Sequence, residues 1–290
     1  MPFFNSTFQL LRFHFSFFLM PVYWFALSQV PNPDIPRAIW IFFIINFLLY
    51  PSSNGYNSYV DRDEESIGGL KSPPAPTRQL FYVSIVMDLL AVLLSLRISI
   101  YFMLGSLLYI LASRAYSARK IRLKKYPVWG YLTVVIFQGA LIFFMVYHGA
   151  SREMRLQAPL GGMLTASLLI GGFYPLSQIY QHDADARDGV RTLSAVLGYR
   201  GTFIFCGIVY SIAFAALALY FGLSLEIKEF LIFATCMVPV IVYFIIWAVK
   251  VWRDPAEASY VHTMRMNGIA SCCTNLGFIV VFLMHHNVFW

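Results

Sequence analysis

Apolar positions in this chain neither alternate nor recur as a narrow stripe; they run continuously. Stretches nearly free of charge occupy about residues 9–29, 37–53, 79–96, 98–117, 128–148, 158–177, 201–222, 229–249 and 267–285. Each approaches the roughly 20 helical residues that cross a bilayer core of about 30 Å. Continuous apolarity predicts helices, whereas barrel strands alternate. The pattern therefore predicts an all-α polytopic membrane protein. About nine transmembrane helices would form one bundle around a central cavity, as a single domain over 1–290. The runs on either side of Leu96-Arg97-Ile98 are read as two helices, because one rod through both would overshoot the membrane.

Composition agrees and narrows the class. Of 290 residues, 59% are hydrophobic and only 12% charged, with mean hydropathy +0.66. A soluble domain carries about 25% charged residues, so this chain cannot clothe a globular surface in water. A soluble enzyme, a disordered chain and a conventional nucleic-acid binder are excluded, despite a pI near 9.2. The first apolar run carries Arg12 and His14 and shows no small-residue cleavage site, so no cleavable signal peptide is expected. Cys206, Cys236, Cys272 and Cys273 all fall within apolar runs without metal-ligand spacing, and read as packing residues.

Charge sets the topology. With nine crossings, all but five of the 21 basic residues fall on the side of the N-terminus; Arg37, Arg97, Arg152, Arg155 and Lys228 fall opposite. The positive-inside rule then predicts a cytoplasmic N-terminus. The excess positive charge is explained by topology and by anionic membrane lipids as partners, with no nucleic acid required.

The acids are more informative. Seven of the 14 lie in two short segments. Asp61, Asp63, Glu64 and Glu65 follow the second predicted helix; Asp183, Asp185 and Asp188 follow the sixth. Four crossings separate these helix ends, so the loops 54–78 and 177–200 share the cytoplasmic face. Asn57, Asp61 and Glu65 are spaced four apart, and a continuing helix would stack their oxygens on one face. Gln181 and Asp185 share a face in the same way, with Gln178 one turn earlier. Hard oxygen donors in such arrays suit Mg²⁺, which leaves coordination positions for phosphate.

These motifs resemble those of the UbiA family of intramembrane prenyltransferases. The family's Asn-Asp-x-x-Asp-x-x-x-Asp motif is similar to Asn57-Ser58-Tyr59-Val60-Asp61-Arg62-Asp63-Glu64-Glu65, with Ser58 and Glu65 as departures. Its second motif, Asp-x-x-Asp-x-x-x-Asp, corresponds to a run from Gln178 through Gln181 to Asp185. The familiar continuation is present as Gly189-Val190-Arg191-Thr192, followed by Leu197-Gly198. Tyr116-Ser117 and Arg122-Leu123-Lys124-Lys125 match features between the fourth and fifth helices, and the likeness spans about residues 8–285.

The resemblance implies transfer of a polyprenyl group from a polyprenyl diphosphate to an aromatic or lipid acceptor that the sequence does not identify. It implies Mg²⁺ as cofactor, held by Asn57, Asp61 and Asp185 with Glu65 and Gln181 in support. Arg12, Arg114, Lys120, Arg122, Lys124 and Arg191 become the expected diphosphate-binding cations. Tyr59 and Tyr116 become pocket candidates, and His182 the candidate acid or base. A cytoplasmic active face in a bacterial inner membrane is expected. The two glutamines in the second motif add no negative charge, which supports a rival reading as a non-catalytic isoprenoid-binding protein. A cation-coupled transporter is a further alternative, although its carboxylates belong nearer the bilayer midplane. Asp88, inside the third run, stands apart as an intramembrane carboxylate without an assigned role.

Overall fold

The computed structural model describes residues 2–286 and is helical throughout its long segments. Nine rods follow one another: α1 (Asn5–Ser28), α2 (Ile35–Asp61), α3 (Arg78–Ser95), α4 (Ile100–Ser117), α5 (Pro127–Ala150), α6 (Leu160–Arg187), α7 (Leu193–Leu223), α8 (Ile227–Arg253) and α9 (Tyr260–His285). Among the described residues, eight of these are long and apolar enough to cross a membrane. The exception is α4, as long as α3 at 18 residues but diluted by Ser106, Ser113 and Arg114. The chain does turn between α3 and α4, where Ser99 caps α4 by accepting from the Phe102 amide at 3.0 Å.

In lipid, backbone polar groups find no water, so each helix end needs a partner. Asp34 supplies one by accepting from the Arg37 amide at 3.1 Å ahead of α2, whose second residue is Pro36. Thr192 caps α7 and Ser259 caps α9 in the same manner.

The rods pack largely in sequence order, α2 on α3 and α6 on α7, while α9 returns against α1 and closes the bundle. Phe278 of α9 joins three rods, stacking on Phe25 of α1 at 4.5 Å and on Phe233 of α8 at 4.3 Å. Gly139 marks a close approach of two backbones, since a Cβ there would stand 2.5 Å from the Ser167 Cα on α6. The outward faces carry the opposite pattern, with residues such as Leu160, Leu219 and Leu223 largely exposed where lipid would lie.

Several rods are irregular at one end of the bundle. Arg12 takes a left-handed conformation (φ 48°) and breaks α1 into a 3₁₀ turn over Phe13–Phe15. The last turns of α6 tighten into 3₁₀ geometry over Tyr174–Gln181, with Pro175 in the first turn, before a short α-helical piece His182–Arg187. Gly198 (φ 69°) kinks the start of α7. Non-helical backbone at membrane depth is tolerated where it lines a cavity, and the breaks in α1 and α6 border one.

Candidate functional site

The cavity occupies about 160 Å³ where the start of α1, the ends of α2, α4 and α6, the α4–α5 loop and the start of α9 meet. Its walls gather carboxylates and cations in one place. Asp61, Asp63 and Asp185 line it together with Arg12 and Lys124, and the amides Asn54, Asn57, Gln178, Gln181 and Asn267 complete the polar surface.

Asp61 sits at the centre of this arrangement with its side chain 2% exposed. Lys124 Nζ donates to Asp61 Oδ2 at 2.5 Å, the Asn57 amide nitrogen donates to the same oxygen at 2.7 Å, and the Arg122 guanidinium lies 3.6 Å from Oδ1. Asn57 also donates to Ser117 Oγ at 3.0 Å, so both of its hydrogen bonds use nitrogen. Asp61 Oδ1 and Gln178 Oε1 are buried without a hydrogen-bond partner. An unsatisfied buried acceptor costs about 1–3 kcal/mol, and a bound cation or donor relieves it. Among the described residues no three acidic, histidine or cysteine side chains form a complete metal cage. The donors present are oxygens of carboxylates and amides, which fit a hard divalent cation sharing its coordination with an anionic ligand.

Arg12 lies across the cavity and is buried. Its guanidinium donates to the carbonyls of Gly68 at 3.2 Å and Asn54 at 3.3 Å, and among the described residues it has no carboxylate partner. A buried cation hydrogen-bonded to neutral carbonyls is placed to receive an anion. Asp63 has its carboxyl pushed up to about 6, first by burial and then by the negative charge of Asp61. Tyr116 and Tyr174 are hydrogen-bonded to each other through their hydroxyls. Together with Asn54 and Asn57 they also border a neutral chamber of about 130 Å³ that extends toward Tyr109 and Phe137.

Seven of the expected residues thus meet at this cavity: Asn57, Asp61, Gln181, Asp185, Arg12, Lys124 and Tyr116. Others are placed elsewhere. Glu65 does not continue the face of Asn57 and Asp61, because α2 stops at Asp61 and Arg62 turns the chain in a left-handed conformation (φ 55°). Its side chain is 57% exposed and pairs with Arg187. The same turn directs Asp63 to the cavity instead. Arg114 lies deeper in the bundle, paired with Asp88, donating to Ser52 at 3.0 Å and stacked 4.0 Å over Tyr56. Arg122 is tied to Asp188 and backs the wall through Asp61 without lining the cavity. Lys120 and Tyr59 line a separate outer groove, and Arg191 is exposed outside the cavity wall. His182 bonds Ser194 Oγ at 2.8 Å and stacks on Tyr199, away from the cavity lining. Asp63, Tyr174 and Asn267 were not expected; a buried amide within an apolar helix was the available signal for Asn267.

No curated protein matches the chain by sequence. Among solved structures, a UbiA homolog from Archaeoglobus fulgidus bound to GPP and Mg²⁺ is similar, with TM-score 0.68 and 21% identity over 96% of this chain and 99% of that one. A UbiA homolog from Aeropyrum pernix K1 gives TM-score 0.66 at 18% identity, covering 92% and 97%. A structure concerning digeranylgeranylglyceryl phosphate synthase in membranes gives 0.64 at 19%, covering 98% and 100%. These likenesses establish the fold. The UbiA prenyltransferase family model matches residues 17–269, the stretch that contains both acidic segments and nearly every wall of the cavity, and on that match the chain belongs to the UbiA prenyltransferase family.

Proposed function

We propose that this chain is a Mg²⁺-dependent integral membrane prenyltransferase. It would move a polyprenyl group from a polyprenyl diphosphate to an aromatic or lipid acceptor, as one domain over its whole length. One observation carries the reading: three carboxylates and two cations line a single polar cavity at one end of an apolar helical bundle. The fit of oxygen donors, with Asp61 Oδ1 and Gln178 Oε1 lacking partners, supports Mg²⁺ as the cofactor. Asp61, Asp63 and Asp185, with Asn57 and Gln181, would hold the metal.

A divalent cation held there would supply positive charge against the negative charge that develops on a departing diphosphate. The chain's own residues do the rest. Arg12 and Lys124 bind diphosphate oxygens from opposite walls, stabilising developing negative charge with groups already in place. Lys124 gives up its bond to Asp61 to do so, and the Asp61 carboxylate is thereby freed. Tyr116 and Tyr174 stand where the cavity meets the neutral chamber. Their ring faces can stabilise an allylic cation, and their walls keep water from it. The chamber, being free of charge, suits the first isoprene unit. A larger apolar groove of about 460 Å³, lined by Leu176, Cys206, Tyr210, Phe244 and Met266, backs onto the cavity wall and offers room for a longer chain. Transfer releases the diphosphate and leaves a proton from the acceptor to be taken up at this face.

The excess of basic residues on the cavity side supports a cytoplasmic active face and N-terminus, in a bacterial inner membrane. The test incubates membranes containing the protein with labelled polyprenyl diphosphate, Mg²⁺ and a panel of aromatic and glycerol-phosphate acceptors. Mg²⁺-dependent release of pyrophosphate and a labelled product, both lost in Asp61→Asn, are expected. Binding of the prenyl diphosphate with no release on any acceptor would instead favour a non-catalytic isoprenoid carrier.

A further inference from the structure

Outside the cavity, the ends of α2 and α4 enclose an open groove of about 690 Å³, lined chiefly by Tyr56, Tyr59, Arg62, Ala118, Arg119 and Lys120. It combines three cations and two phenol rings with no carboxylate. Three neighbouring cations at this end are instead spent on acids: Lys124 and Arg122 on Asp61, and Arg187 on Glu65. Among the described residues Arg62, Arg119 and Lys120 have no such partner, and all three are exposed. Arg119 is fixed in place by donating from Nε and Nη2 to the Val60 carbonyl at 3.3 and 3.1 Å. Topological bias explains cations on this face. It does not explain why two rods distant in sequence bring three of them to two tyrosines.

The groove lies where helices leave the apolar slab, since α2 ends at Asp61 and α4 at Ser117. Along α4, Leu104, Leu107, Leu108 and Leu111 are exposed at helical spacing, and seven residues beyond Leu111 comes Ala118, in the groove itself. A cationic, aromatic cup thus continues into an apolar face. We propose that this groove is a binding site for an anionic phospholipid, its headgroup phosphate between Arg119, Lys120 and Arg62 and an acyl chain along the leucine face of α4. A soluble phosphorylated molecule shares the phosphate chemistry, but only a lipid uses the leucines.

The experiment is native mass spectrometry of the purified full-length chain titrated with phosphatidylglycerol, phosphatidylcholine or glycerol 1-phosphate. Arg119→Gln/Lys120→Gln is compared with Lys71→Gln/Lys125→Gln, which removes the same charge from exposed lysines outside the groove. The wild type retains one phosphatidylglycerol in preference to phosphatidylcholine. Retention weakens by roughly thirtyfold in the groove variant, as expected for two headgroup-facing cations, and by less than about threefold in the control pair, where charge acts only at a distance. Arg62→Gln, on the other wall, weakens it independently. Equal loss in the control pair would mean diffuse surface attraction and overturn the site. So would displacement of the lipid by glycerol 1-phosphate at matching concentration, which would assign the groove to a soluble ligand.

Discussion

Removing Arg114 alone should damage this protein more than removing Arg114 and Asp88 together. The two form an ion pair between α4 and α3, with side chains only 16% and 11% exposed. Ser52 of α2 joins the pair, donating to Asp88 and accepting from Arg114 at 3.0 Å, and the Tyr56 ring lies 4.0 Å from the guanidinium. Truncating one member of so covered a pair leaves an uncompensated charge, which costs about 3–5 kcal/mol. Replacing both with apolar residues removes the desolvation cost along with the attraction, and is often close to neutral. Ser52 is not stranded in that variant, because its single hydroxyl hydrogen can turn from Asp88 to the Ser84 carbonyl, 3.0 Å away. Arg114→Met and Asp88→Leu should therefore each cost about 3 kcal/mol or more, and Arg114→Met/Asp88→Leu within about 1 kcal/mol of wild type. Reversible unfolding in mixed detergent and sodium dodecyl sulfate micelles measures all four corners of the cycle. The double variant should also keep Mg²⁺-dependent pyrophosphate release within about tenfold of wild type. Additive single losses would refute the buried-pair argument. A stable double variant with no pyrophosphate release would show that Arg114 reaches the diphosphate itself.

Four other outcomes follow from the same structure. Asp63→Asn should weaken Mg²⁺-dependent diphosphate binding at least about tenfold, whereas Glu65→Gln should change it less than about twofold; titration calorimetry on both decides which residue serves the cavity. Because the Asp63 carboxyl is raised to about 6 from 3.8, the ligand-free fold holds its proton more tightly than the unfolded chain does. That contribution is full below 3.8 and is lost as pH rises to about 6, amounting to at most about 3 kcal/mol. Asp63→Asn should remove this slope and make the ligand-free protein more stable at pH 7, as unfolding midpoints between pH 4 and 7 would reveal. Lys124→Met, which leaves the buried Asp61 carboxylate with a weaker counter-charge, should destabilise the ligand-free protein by more than 1 kcal/mol and lower diphosphate affinity. Gly139→Val should cost about 1–3 kcal/mol or more, because its Cβ would meet backbone at Ser167; unchanged stability would mean that α5 and α6 separate without penalty.

How much of this was legible before folding depends on what each inference required. Rods were legible because a continuous apolar run has one stable solution in lipid, so the helices and the turn near Arg97 follow from composition and length. The co-location of the two acidic segments needed only the parity of crossings. What failed was the assumption that a helix continues. Counting by fours from Asn57 reached Glu65, but the chain turns at Arg62 and supplies Asp63. A left-handed arginine carries no sequence mark, since its conformation is imposed by the packing around it. Likewise the six expected cations were equivalent as charges, and only tertiary pairing separates them. Arg114 is consumed by Asp88 and Arg122 by Asp188, whereas Arg12 hydrogen-bonds two carbonyls and, among the described residues, no carboxylate. Pairing across 26 or 66 residues is a property of the bundle, not of local spacing.

The central claim is that Asp61 and Asp185, on α2 and α6, act with Arg12 as one site in which metal and diphosphate bind together. Isothermal titration of the purified chain with pyrophosphate, with and without Mg²⁺, tests it most directly. Binding that requires Mg²⁺ and is lost in each of Asp61→Asn, Asp185→Asn and Arg12→Gln is the predicted result. Pyrophosphate binding that is indifferent to Mg²⁺ and to all three substitutions would contradict it.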